Sequence, residues 1–152
     1  MGKKHIYDIL TREELQRISV EISFAEKGTT GEIRVAIRKR RHWGEKKITL
    51  HHLAIKEFHK LGMQKTKHRI GVLIFLLLSE RSFQIIGDQG IHEKVEEGTW
   101  DRLAELMGSH FREQKFCDGI IAVVREVGSL LAKHFPSIGD KKNELSDDVV
   151  IE

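Results

Sequence analysis

The stretch Ile70-Gly71-Val72-Leu73-Ile74-Phe75-Leu76-Leu77-Leu78 decides the fold. It has no polar alternation, so a strand built from it meets apolar surroundings on both faces, as a central strand of an α/β sheet does. It is also far shorter than the roughly 20 residues a helix needs to cross a bilayer, so no membrane insertion is expected. Upstream, Ile33, Val35 and Ile37 alternate with Glu32, Arg34 and Arg38, the pattern of a strand with one face on the core and one in water. Between the two runs, Thr49 is placed to cap a helix whose Leu50, Leu53, Ala54, Phe58 and Leu61 share a stripe ended by Gly62. A helical crossover makes 32–38 and 70–78 parallel neighbours. Ser79-Glu80-Arg81-Ser82 is a short polar break, after which 83–87 reads as an antiparallel neighbour. Thr11 and Glu14 form a capping-box spacing ahead of Leu15, Ile18, Ile22 and Ala25. Thr99 caps a helix bearing Leu103, Met107 and Phe111, and a last helix starts near Asp118 and stops at Pro136. The expected fold is a three-layer α/β/α sandwich with a small mixed sheet: one domain over 1–136, then a polar extension over 137–152.

Composition narrows the class. Of 152 residues, 39% are hydrophobic and 32% charged, which excludes a wholly disordered chain and a membrane protein. The single Cys117 has no intramolecular disulfide partner and none of the paired spacings of a structural zinc site, so a reducing compartment fits. The N-terminal Met1-Gly2-Lys3-Lys4-His5 is not followed by an apolar stretch, so a cytoplasmic location is expected. A net charge of only +3 gives no global field drawing in nucleic acid or anionic lipid, so no membrane partner is expected and a dedicated nucleic-acid reader is disfavoured, although the local run Arg38-Lys39-Arg40-Arg41-His42-Trp43 is basic. A protein partner of unstated identity remains open.

Topology suggests where chemistry would gather. Glu32 and Asp88 fall at one end of the sheet beside Thr66, Arg69 and His92, and clustered oxygen ligands suit calcium or magnesium. The plainer alternative pairs Glu32 with Arg69 and gives Asp88 to its own turn. Glu80 and Asp118, with Glu13 nearby, form a second candidate metal group at the opposite end; there the alternatives are a solvated hairpin residue and a helix cap. Cys117 reads as a buried small side chain rather than a nucleophile.

Four phrases in order resemble the TPM-domain family, which includes a thylakoid-lumen acid-phosphatase-like domain. They are Thr30-Gly31-Glu32-Ile33-Arg34-Val35, Leu61-Gly62-Met63 leading through Thr66 and Arg69 into Gly71-Val72-Leu73-Ile74, Phe83-Gln84-Ile85-Ile86-Gly87-Asp88-Gln89-Gly90-Ile91, and Phe116-Cys117-Asp118-Gly119-Ile120. The chain resembles the short soluble bacterial branch, for which the signal peptide and membrane anchor of many relatives are not expected. The resemblance implies an α/β/α sandwich, sometimes a divalent-cation site, and in some members a modest phosphatase activity. Where many relatives carry Asp-Arg at the hairpin this chain has Glu80-Arg81, and where they carry Asp near the first helix it has Thr11-Arg12-Glu13. The leading expectation is a divalent-cation-binding accessory or interaction module without catalysis. The alternative, implied by the resemblance, is a weak metal-dependent phosphatase on phosphate monoesters, with Arg69, Lys65 and Arg38 as candidate phosphate-binding cations.

Overall fold

The computed structural model describes residues 9–137 and 146–152; the N-terminal segment and most of the expected extension lie outside the described residues. The first helix, α1 (Arg12–Glu26), starts at the expected capping box, in which the Thr11 hydroxyl accepts from the Glu14 amide and the Glu14 carboxylate accepts from the Thr11 amide. Its buried stripe is Leu15, Ile18, Ile22 and, unexpectedly, Glu26. Strand β1 (Glu32–Arg38) leads through a loop to α2 (Leu50–Lys60), capped by Thr49 and closed by Gly62 at φ 74°. Strand β2 (Gly71–Leu77) is buried along its whole length, and Arg81, at φ 48°, turns the chain into β3 (Ser82–Gly87). A short helix α3 (Gln89–His92) precedes α4 (Thr99–Arg112) and α5 (Phe116–His134).

The sheet order is β3-β2-β1-β4, where β4 (Val150–Ile151) comes from the end of the polar tail. β1 pairs parallel with β2, from Glu32 opposite Gly71 to Arg38 opposite Leu77, and β3 runs antiparallel to β2, with Val72 opposite Gly87. β4 lies parallel to β1 on its other side, with Ala36 opposite Val150. Strand pleating then divides the core into two layers. Ile33, Val35, Ile37, Val72, Ile74 and Leu76 pack beneath α1, α4 and α5, while Ala36, Leu73, Phe75 and Leu77 pack beneath α2. The α/β/α sandwich with a mixed sheet and 70–78 at its middle is therefore present.

Two local expectations are corrected. The two ends of β1's polar face do not meet water: Glu32 is fully buried and Arg38 is 2% exposed, the latter partnered by Glu57 of α2 and Glu152 of the returning tail, while Arg34 between them is half-buried. Thr99 is not a cap. Gly98, at φ 85°, takes that position, and the Thr99 hydroxyl donates back to the Glu96 carbonyl at 2.7 Å.

Candidate functional site

At the end of the sheet where β1 and β2 begin, three carboxylates arrive from three directions. Glu26 ends the buried stripe of α1, Glu32 opens β1, and Asp147 lies three residues before β4. Parallel pairing of β4 with β1 carries Asp147 back to the level of Glu32. Glu26 is 4% exposed and Glu32 0%. One ligand oxygen from each lies within 4.8 Å of the others. Among the described residues this is the group with metal-ligand spacing.

Electrostatics mark the cluster as a strained assembly of like charges. Burial, then the hydrogen bond with Asp147, then the charges of Glu32 and Asp147 push the Glu26 carboxyl up to about 10, although the Ile33 amide, donating to Oε2 at 2.6 Å, opposes them. These effects favour the protonated form of Glu26 at neutral pH, hydrogen-bonded with Asp147. Carboxyl groups this close, two of them buried, are eased by shared protons, by donating side chains or by a cation. The donor set is all oxygen, the set that suits calcium or magnesium; both ions complete their shells with carbonyls or water.

The candidates named from sequence are placed as follows. Asp88 reaches the same sheet end as Glu32, its amide donating to the Gly71 carbonyl at 2.9 Å. Its side chain turns to other work: it caps α3 through the Gln89 amide at 2.7 Å and receives the Arg69 guanidinium at 2.9 and 3.1 Å. Thus the turn-bracing role describes Asp88, with Arg69 as its partner rather than the partner of Glu32. The Arg69 loop lies tight against it: a Cβ on Gly90 would stand 2.5 Å from the His68 carbonyl oxygen and 2.6 Å from that of Arg69. Lys65 is exposed in the preceding turn.

Glu80 and Asp118 share the opposite end without joining. The Thr29 hydroxyl donates to the Phe135 carbonyl at 2.5 Å, tying the tail of α5 to the start of β1, so the head of α5 lies at the far end. There Glu80 is held by the Arg41 guanidinium, which keeps its carboxyl below the usual range, while Asp118 stands exposed in the first turn of α5. Arg38 is enclosed by carboxylates: it donates to Glu45 at 2.7 Å and Glu57 at 3.2 Å and lies 3.9 Å from Glu152. Burial raises Glu45, but the Lys56 hydrogen bond, the His42 amide and the charges of Arg38 and Lys56 outweigh it and bring the group to about 2. Burial and the adjoining Glu152 push Glu57 up to about 7. Cys117 is buried, which raises its thiol, in keeping with a packing role.

Glu26 and Asp147 went unread in the sequence. A signal for Glu26 exists: it continues the spacing of Leu15, Ile18 and Ile22, and it puts an acid in the last helical turn, against the helix dipole. Asp147 has no comparable local mark beyond the β-branched Val149-Val150-Ile151 that follows it.

Comparison with known proteins bears on the whole chain. Residues 6–130 match the family model described as the TPM domain. The solved BA42 protein of the psychrophilic bacterium Bizionia argentinensis is 34% identical, with a TM-score of 0.86, covering 97% of this chain and 99% of its own. The N-terminal domain of a P. gingivalis protein, at 18% identity and TM-score 0.68, covers 84% of this chain and 79% of its own. The N-terminal domain of the cg2496 protein of Corynebacterium glutamicum, at 12% and 0.62, covers 89% and 81% respectively; at such identities the likeness concerns fold alone. No curated protein matches.

Proposed function

This chain belongs to the TPM-domain family, and we propose that it serves as a divalent-cation-binding accessory or interaction module. The observation supporting this reading is the convergence of Glu26, Glu32 and Asp147 within 4.8 Å. In the reading, calcium or magnesium replaces the proton held by Glu26 and offsets two of the three carboxylate charges brought together there. Two ligands belong to adjoining elements, α1 and β1, and the third to the returning tail, so a bound ion ties the tail to the sheet. Asp88 and Glu80 support the fold through their arginines, and Asp118 is left outside the ligand set.

Thermal unfolding of chelator-treated protein with added calcium or magnesium tests the reading. A rise in Tm that grows with the logarithm of cation concentration is expected, and Glu32→Gln should abolish the rise. An unchanged Tm at millimolar calcium and magnesium would end the proposal.

A further inference from the structure

We propose that the loop from Lys39 to Ile48, between β1 and α2, is a docking tip for an anionic lipid surface, with Trp43 entering the headgroup boundary. Trp43 is 98% exposed. An indole is amphipathic and favours the water–lipid boundary, whereas in bulk water its apolar area stands uncovered. Nor does the loop hold it out through lack of structure. The Arg41 guanidinium donates to the Glu45 and Ile48 carbonyls at 2.7 and 2.6 Å, and the His42 amide donates to the Glu45 carboxylate at 2.6 Å. These hydrogen bonds brace the apex from within the loop.

The sequence around the apex is basic, although Glu57 and Glu152 reach Arg38 from outside it and Glu80 pairs with Arg41. Residues 38–56 contain seven Lys or Arg against one acid, a net +6 in a chain whose total is +3, so the remainder is negative. The one acid, Glu45, is buried and engaged by Arg38 and Lys56. Arg38 and Arg41 are used in bracing, while Lys39, Arg40, His42, Lys46 and Lys47 are exposed around the indole. Basic residues near an anionic leaflet are attracted to it within a Debye length.

Shape selects the partner. Gly44, at φ +92°, has no atom within 4 Å of where a Cβ would stand, and Trp43 beside it is 98% exposed, so the tip of the loop is open. Single-stranded nucleic acid favours a groove that tracks its backbone and successive stacking platforms, and the loop offers one fully exposed indole. A planar, negatively charged surface meets both the ring and the surrounding cations. Crossing the bilayer is not involved: no helix among the described residues is long and apolar enough.

The test is co-sedimentation of the full chain with vesicles of phosphatidylcholine alone or enriched in phosphatidylserine, alongside titration with oligo-dT. Binding is expected on the phosphatidylserine vesicles only and should weaken with added salt. Trp43→Ala should weaken it about tenfold, and Lys46→Glu with Lys47→Glu should remove it. Trp43 emission, read in a Trp100→Phe background, should shift to the blue on binding. Absence of binding to acidic vesicles at low salt, or binding unaltered by Trp43→Ala, would overturn the proposal. So would saturable oligo-dT binding without vesicle binding, which would assign the loop to nucleic acid.

Discussion

Replacing Glu26 with Gln should stabilise the metal-free protein in mildly alkaline solution, the opposite of what removing a buried hydrogen-bonded group normally does. In the fold the Glu26 carboxyl is held at about 10 against an ordinary 4.5, so folding takes up a proton at every pH between those values. Stability from this group is greatest below pH 4.5 and falls by about 1.4 kcal/mol for each pH unit above it. Between pH 6 and pH 8 the loss is about 3 kcal/mol, which for a domain of this size is a Tm change of about 6 to 12 °C. The glutamine amide reproduces the protonated form: its oxygen accepts from the Ile33 amide, as Oε2 does at 2.6 Å, and its NH2 donates toward Asp147. Parallel melts of wild type and Glu26→Gln in chelator, at pH 6 and pH 8, read the difference. The wild type should lose about 6 to 12 °C more than the variant, in which only the smaller loss from Glu57 remains. Equal pH dependence in the two proteins would refute a protonated Glu26.

Glu57, raised to about 7, has the same sign but a different window, its stabilising contribution falling from pH 4.5 and fully lost above about 7. Glu57→Gln should flatten the urea-denaturation profile between pH 5 and 7 and leave the slope above pH 8 unchanged. Asp88→Ala removes the cap of α3 and the partner of the half-exposed Arg69, and should cost about 1 to 2 kcal/mol in urea denaturation without changing cation affinity. Gly90→Ala drives a methyl into two backbone carbonyls that cannot move independently of the Asp88 turn, and should cost about 1 to 3 kcal/mol by the same measurement.

The fold was legible because local signals agreed with global ones. The unbroken apolar run of β2, the Thr11–Glu14 box and the Thr49 cap each act within a few residues. Register made one functional statement readable as well, since any sheet with β1 parallel and β3 antiparallel to β2 brings Glu32 and Asp88 to one end. What the two side chains do there was not readable. Asp88 meets Arg69 through a loop with two left-handed residues, His68 and Arg69, whose conformation no periodicity reveals. Glu32 meets Asp147 only because a two-residue strand returns from the tail, and so short a pairing leaves almost no pattern in a polar segment. Arg38 misled in the same way. Strand alternation assigns it to water, and its burial depends on Glu45, Glu57 and Glu152, which come from a loop, a helix and the end of the chain.

The most direct test of the carboxylate cluster as a cation site is calorimetric titration of chelator-treated protein with calcium and magnesium near pH 7.5, in two buffers of different ionisation enthalpy. The account predicts saturable binding with about one proton released per ion, the proton of Glu26, and loss of that release in Glu26→Gln. Absence of saturable heat, or binding that releases no proton and survives Glu26→Gln unchanged, would contradict it.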